Sequence, residues 1–166
     1  MSGPAIRNAV EADLAAILAI YNHEVVTSTA TWDLAERTLD EQQAWFQAHA
    51  SPYCVLVAVT GDQVIGWGSL SRYHPRPGYR FTVEDTVYVR PEAQRRGIGS
   101  ALLRTLLVRA RSAGFHAVLA KISGDNQASI ALHQACGFVE VGRERELGHK
   151  FGRWLDVVTM QVILDG

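Results

Sequence analysis

Two arginines and two glycines in the run Gln94-Arg95-Arg96-Gly97-Ile98-Gly99-Ser100 have the types and spacing best suited to a chemical task. An extended apolar run, Val87-Tyr88-Val89, empties into this basic turn, and Leu102, Leu103, Leu106 and Leu107 follow it at helical spacing. Glycine carries no Cβ and takes positive φ, so such a turn lets backbone N–H groups converge on phosphate oxygens. The first turn of the following helix adds unpaired N–H groups and a partial positive charge. Gly-x-Gly alone also fits an ordinary strand-to-helix turn. No Lys-Ser or Lys-Thr follows the second glycine, which disfavours a kinase-type phosphate loop, and a dinucleotide fingerprint would need a third glycine.

Upstream of this turn lie candidate acid and base groups. In a regular pleat Glu84, Thr86 and Tyr88 share one face, while Val83, Asp85, Val87 and Val89 share the other. The first face is polar, as a site wall would be. Asp85 then points to the apolar side, which is costly for an unpaired carboxylate, and a β-bulge near it would re-aim it. The plain alternative for Glu84 is a surface carboxylate paired with Arg80. His133 titrates near neutrality and suits proton transfer, against the plain alternative of a surface or capped helical side chain.

Stepping along the chain, apolar periodicity predicts a strand at residues 5–8 and a helix at 11–26 with Leu14, Ile17, Leu18, Tyr21 and Val25 on one face. Thr38-x-x-Glu41 predicts a capped second helix carrying Trp45 and Phe46 and ending near Ser51-Pro52. Residues 53–60 and 63–71 read as a hairpin turning at Gly61-Asp62. An irregular loop at Pro75-Arg76-Pro77-Gly78 follows, then extended chain at 81–89. A helix at 100–113, a strand at 116–122, a helix at 127–136 and closing strands at 139–146 and 154–164 complete the order βααβββαβαββ. That is a mixed α/β arrangement with the glycine turn following its central strand.

With 166 residues, 48% of them hydrophobic, the chain can bury one substantial core and is expected to be a single domain, 1–166. A formal net charge of -1 gives no general attraction to nucleic acid or anionic membrane. Cys54 and Cys136 read as reduced, buried thiols without metal-ligand spacing. No run approaches the roughly 20 apolar residues of a membrane span, and no charged leader opens the chain, so a soluble cytoplasmic protein is expected.

The flanked glycine turn resembles the acetyl-CoA pyrophosphate loop of the GNAT superfamily of N-acetyltransferases. Asn126-x-x-Ser129-x-x-Leu132-His133-x-x-x-Gly137-Phe138 is similar to that superfamily's fourth helix, where many members carry a tyrosine at the His133 position. Ile20-Tyr21-Asn22-His23, Thr27-Ser28-Thr29, the strand 82–89 and Lys150-Phe151-Gly152-Arg153-Trp154-Leu155-Asp156 resemble a narrower group, the phosphinothricin and methionine sulfoximine N-acetyltransferases. The resemblance covers nearly the whole chain. It implies the GNAT fold, a mixed sheet with splayed central strands and flanking helices. It also implies acetyl-CoA as cofactor, released as CoA, a small amino-acid acceptor acetylated on its α-amino group, and a homodimer.

Residue by residue, the resemblance assigns Glu84 as the base and His133 as proton donor to the departing thiolate or as a contact to cofactor and acceptor. Backbone groups around Val87, Tyr88 and Val89 would pair with the pantetheine arm, in the manner of strand addition. Arg95, Arg96, Gly97, Ile98, Gly99 and Ser100 would hold the pyrophosphate, and Asn126 and Ser129 would meet the cofactor from the fourth helix. A free amino acid brings a carboxylate that needs a cation, for which Arg80, Lys150 and Arg153 are candidates, with Arg72 and Arg76 behind them. Trp154 is a candidate substrate platform or a core or interface residue. Relatives of the methionine sulfoximine type tend to carry Trp-Arg where this chain has Tyr73-His74, in a loop that helps form the acceptor pocket. Two other functions remain open here: a peptide or protein N-terminal acetyltransferase, with a groove left open by the loop from Tyr73 to Tyr79, and a non-catalytic acyl-CoA-binding module.

Overall fold

Strand and helix patterns resolve into β1 (Ala5–Asn8), α1 (Leu14–Thr27), α2 (Leu39–Gln47), β2 (Cys54–Thr60), β3 (Gln63–Arg72), β4 (Thr82–Val89), α3 (Ile98–Ser112), β5 (Ala117–Ser123), α4 (Gln127–Ala135), β6 (Val139–Lys150) and β7 (Arg153–Ile163). This computed structural model describes residues 4–164, so the ends of the expected 1–166 domain lie outside the described residues. Thr38 and Glu41 cap α2 reciprocally: the hydroxyl accepts the Glu41 N–H at 3.3 Å and the carboxylate accepts the Thr38 N–H at 2.8 Å. The first helix starts later than its periodicity predicts. Asp13 accepts the Val10 N–H at 2.8 Å and binds Arg7 at 2.7 and 3.0 Å, which closes Glu11–Asp13 as a 3-10 turn before α1 begins.

The strands form one seven-stranded sheet in the order β1-β2-β3-β4-β5-β7-β6. Every neighbouring pair is antiparallel except β4 with β5, which is parallel, so the sheet is mixed. One face is covered by α3, whose Leu102, Leu103 and Leu106 are fully buried in the same cluster as Val118 and Met160. Burying each such side chain contributes about 1.5–3 kcal/mol. The other face is covered by α1, with Ile17, Ile20, Tyr21 and Val25 against Val57 and Trp67. Cys136 is buried and Cys54 half-buried, both as free thiols.

The strand β6 runs four residues beyond its predicted end. Its pairing with β7 shifts register between Glu144 and Gly148, where Glu146 takes φ 54° and gives its N–H to the Asp156 carboxylate at 3.0 Å. The chain then re-enters the ladder as far as Lys150. Strand β4 has the opposite character. Toward β3 it stays paired from Val83 through Val89, but toward β5 the pairing stops after Thr82↔Ala117, Val83↔Val118 and Glu84↔Leu119. Beyond Glu84 the two parallel strands diverge, and the gap between them is where the candidate residues gather.

Candidate active site

The divergence of β4 from β5 opens a cleft of about 700 Å³. At one end lies the glycine turn, at the other Glu84 and Lys121, and the segment from Ser28 to Trp32 forms its roof. At the first end Arg95 and Gly97 both have positive φ, 61° and 77°, and the first helical hydrogen bond of α3 runs from the Ala101 N–H to the Gly97 carbonyl at 3.0 Å. The N–H groups of Ile98, Gly99 and Ser100 therefore have no carbonyl behind them in the helix, and they add to its positive end. A Cβ on Gly99 would lie 3.2 Å from the Leu132 side chain, so glycine keeps α3 and α4 close at the cleft wall. Arg95, Gly97, Ile98, Gly99 and Ser100 line the cleft, whereas Arg96 stands outside the lining. Such a cradle fits a phosphate-bearing ligand.

The middle of the cleft fits an amide-bearing chain. Arg90 gives its N–H to Ile65 in β3 at 2.9 Å. Backbone polar groups alternate sides along a strand, so those of Val89 and Val87 turn the other way, into the gap that β5 has left. The Val89 carbonyl accepts Gln94 Nε2 at 3.2 Å there. Tyr88 instead sends its side chain toward α1, where its hydroxyl gives a hydrogen bond to the Ala30 carbonyl at 3.1 Å and ties β4 to the roof. Burial pushes its phenol well above the usual value. On the facing wall, Asn126 caps α4 by accepting the Ser129 N–H at 3.1 Å, and both residues line the cleft.

At the inner end Glu84 is partly buried and lines the cleft. Burial first, and then the charge of Asp85, raise its carboxyl above the ordinary range, while Lys121 pulls the other way. It is not paired with Arg80, whose guanidinium lies 4.4 Å above the Phe81 ring and donates to the Pro77 carbonyl at 3.3 Å. No register shift interrupts β3 and β4, so alternation holds and Asp85 does face the buried side. A bulge is unnecessary because Asp85 has a partner: its Oδ2 is 3.0 Å from Nε2 of His133. Nδ1 of His133 is 2.7 Å from the Ser129 carbonyl, so Nδ1–H donates there. Burial pulls the imidazole pKa down, but the hydrogen bond and charge of Asp85 and the Ser129 carbonyl outweigh it and raise the value overall. The raised value favours the imidazolium form of His133 against the Asp85 carboxylate in the cleft wall.

Other candidates lie outside the cleft lining. Tyr73 and His74 gather on Tyr79, with ring centroids 5.6 and 4.7 Å away, in the loop before β4. Lys150 is buried and donates to the Thr31 carbonyl at 2.9 Å, and burial lowers its pKa. Arg153 meets Asp125 at 3.0 Å, and Asp125 in turn accepts from Thr29 at 2.7 Å. These two cations therefore reach the cleft indirectly, by bracing its roof. Trp154 is 65% exposed and leans on His149. Sequence reasoning missed Trp32, whose ring packs so closely on Gly148 that a Cβ there would lie 2.0 Å from it, and it missed Lys121. The lysine did carry a signal, as a lone charge in the apolar run Ala-Val-Leu-Ala-Lys-Ile.

Comparison with known proteins identifies the family and the fold. The acetyltransferase (GNAT) family model matches residues 17–138. Over 162 residues the chain is 45% identical to an L-methionine sulfoximine/L-methionine sulfone acetyltransferase of Pseudomonas paraeruginosa, covering 96% of this chain and 94% of that protein. It is 40% identical to a phosphinothricin N-acetyltransferase of Alcaligenes faecalis over 153 residues, 90% of this chain and 77% of the relative. The crystal structure of a GNAT superfamily phosphinothricin acetyltransferase from Sinorhizobium meliloti in complex with acetyl-CoA aligns with a TM-score of 0.95 at 39% identity, covering 98% of this chain and 89% of that one. The matched region takes in both walls of the cleft, from α1 to the Gly137-Phe138 exit of α4, and the chain belongs to the GNAT family of N-acetyltransferases.

Proposed function

We propose that this enzyme moves an acetyl group from acetyl-CoA to the α-amino group of a small amino acid of the methionine sulfone, methionine sulfoximine or phosphinothricin kind. The observation that carries the reading is Glu84, a carboxylate of raised proton affinity at the inner end of a cleft whose outer end is a phosphate cradle. Bound acetyl-CoA supplies the thioester. Arg95 and the N–H groups of Gly97 to Ser100 hold its pyrophosphate, Val87 and Val89 pair with the pantetheine amides, and Asn126 and Ser129 flank it.

An α-amine is mostly protonated at neutral pH and cannot attack until it loses a proton. Glu84 takes that proton, directly or through one water. The nitrogen then forms its bond to the acetyl carbonyl carbon and the carbon–sulfur bond breaks; the second proton shed by the nitrogen goes to the thiolate, directly or through water, so that CoA leaves as the thiol, and Glu84 releases the first proton to solvent. Both N–H groups of His133 are directed at protein acceptors, so we assign it a positioning role: its charge offsets that of Asp85 beside Glu84. Tyr73, His74 and Trp154, which lie outside the cleft lining, fit an acceptor wall completed by a second copy of the chain. The exposed Trp154, Leu147 and Phe151 of the β6–β7 hairpin favour a homodimer, which predicts a light-scattering mass near twice the 18.3 kDa of one chain; a mass of one chain would remove that role. Dependence on acetyl-CoA and two free thiols fit the cytoplasm.

Initial rates with L-methionine sulfone and with a short peptide beginning with methionine test the acceptor class. Turnover of the free amino acid alone is expected; turnover of the peptide alone would replace this reading with N-terminal acetylation of chains. The roof offers a separate check. Gly148→Ala should force Trp32 out of the cleft wall, lower stability by about 1–3 kcal/mol, and raise KM for the acceptor more than KM for acetyl-CoA. Equal changes in both constants would mean that Trp32 does not border the acceptor.

A further inference from the structure

An amino-acid acceptor carries a carboxylate into the cleft, and of the five cations proposed from sequence to meet it, Arg72, Arg76, Arg80, Lys150 and Arg153, none lines the cleft and the last three are engaged elsewhere. Lys150 is buried on Thr31, Arg153 is paired with Asp125, and Arg80 lies on Phe81. Among the described residues lining the cleft, the positively charged groups are Arg95 at the phosphate end, His133 tied to Asp85, and Lys121. We propose that Lys121 is the residue that binds the acceptor's α-carboxylate and so makes the enzyme selective for amino acids over simple amines. The proposal rests on the acetyltransferase reading above and names a contact within it.

Register places Lys121 correctly for this. Glu84 is the last residue of β4 paired with β5, opposite Leu119, and paired residues send side chains to the same face. Lys121 follows Leu119 by two positions and so shares that face, at the point where the strands part. Two residues of parallel strand span about 6.6 Å, which leaves room for an amine at Glu84 and a carboxylate at Lys121, each within one hydrogen bond. Lys121 is the exposed residue of an otherwise buried strand. Its ammonium donates to the Thr159 hydroxyl at 3.0 Å and meets Glu144 at 3.4 Å, so two of its three N–H groups are directed and one remains for a ligand. Thr159 and Glu144 also aim the side chain, since a freely rotating lysine would lose more entropy on binding.

Steady-state kinetics with L-methionine sulfone and its α-carboxamide, for wild type, Lys121→Met, Lys121→Arg and Glu144→Gln, test this. Lys121→Met should raise KM for the acid by roughly ten- to a hundredfold, the usual loss for a hydrogen bond to a charged group. The carboxamide should change by less than about threefold, which also shows that the variant is folded, and Lys121→Arg should restore much of the affinity for the acid. Glu144→Gln, which removes one of the two groups that aim the lysine, should raise KM for the acid by clearly less than Lys121→Met does. Parallel changes for acid and amide, an unchanged KM for the acid, or a Glu144→Gln effect equal to that of Lys121→Met would each overturn the proposal. Wild-type inactivity on both acceptors would instead sink the acetyltransferase reading, and the carboxylate site with it.

Discussion

Glu84→Gln should lower kcat/KM for the acceptor by about 10²–10⁴-fold, the usual contribution of a positioned general base, while acetyl-CoA affinity stays within about twofold. The separation follows from where the residue sits. Glu84 is at the inner end of the cleft, in the last β4–β5 pair, and the phosphate cradle starts eleven residues later at Arg95. Glutamine keeps the size and loses the ability to hold a proton. The pH profile gives a second reading of the same group. A base works when deprotonated, so burial and Asp85, by raising its pKa, move the acid limb of kcat/KM above the ordinary glutamate value of about 4.3. That limb should vanish in Glu84→Gln. Loss of acetyl-CoA binding along with activity would make Glu84 a structural residue.

The second large effect is on stability. Asp85→Ala should destabilise the protein by about 3–5 kcal/mol, because it leaves the His133 imidazolium buried without its counter-charge. For a domain of this size that is a fall in melting temperature of roughly 6–20 °C. Replacing both partners, as Asp85→Val with His133→Leu, should recover most of it, since a buried ion pair contributes little over apolar groups of similar volume. The effect should depend on pH in a defined direction. The folded-state pKa of His133 is raised above its unfolded value of about 6.5, so its contribution is full below that pH and is lost as pH rises through the folded value. The gap between wild type and Asp85→Ala should therefore narrow as pH climbs above about 6.5. Thermal melts across that range check it, and a gap that widens with pH would mean that His133 is neutral in the fold.

The parts legible in sequence were those set by neighbours in the chain. The glycine turn, the Thr38 cap and the alternation of Glu84 with Asp85 depend on backbone geometry within a few residues. Asp85 shows where that reading stops. Its inward direction followed from the pleat, but its partner His133 is 48 residues away on α4, so a bulge was the available remedy. Lys150 is a similar case. A cation in a motif near the acceptor suggested a substrate contact, yet its stem is buried and its ammonium caps a carbonyl 119 residues distant. The packing of Trp32 on Gly148 depends on the register shift in β6, which leaves no periodic trace. Lys121 stood in plain view as a charge in an apolar strand; only the divergence of β4 and β5 gives it an opening to face.

The most direct measurement is steady-state release of free CoA from acetyl-CoA in the presence of L-methionine sulfone, with the organic product weighed by mass spectrometry. One CoA is expected for each acceptor that gains an acetyl group on its α-nitrogen, with saturation in both substrates. Binding of acetyl-CoA with no CoA release, with that acceptor or with phosphinothricin, would contradict it.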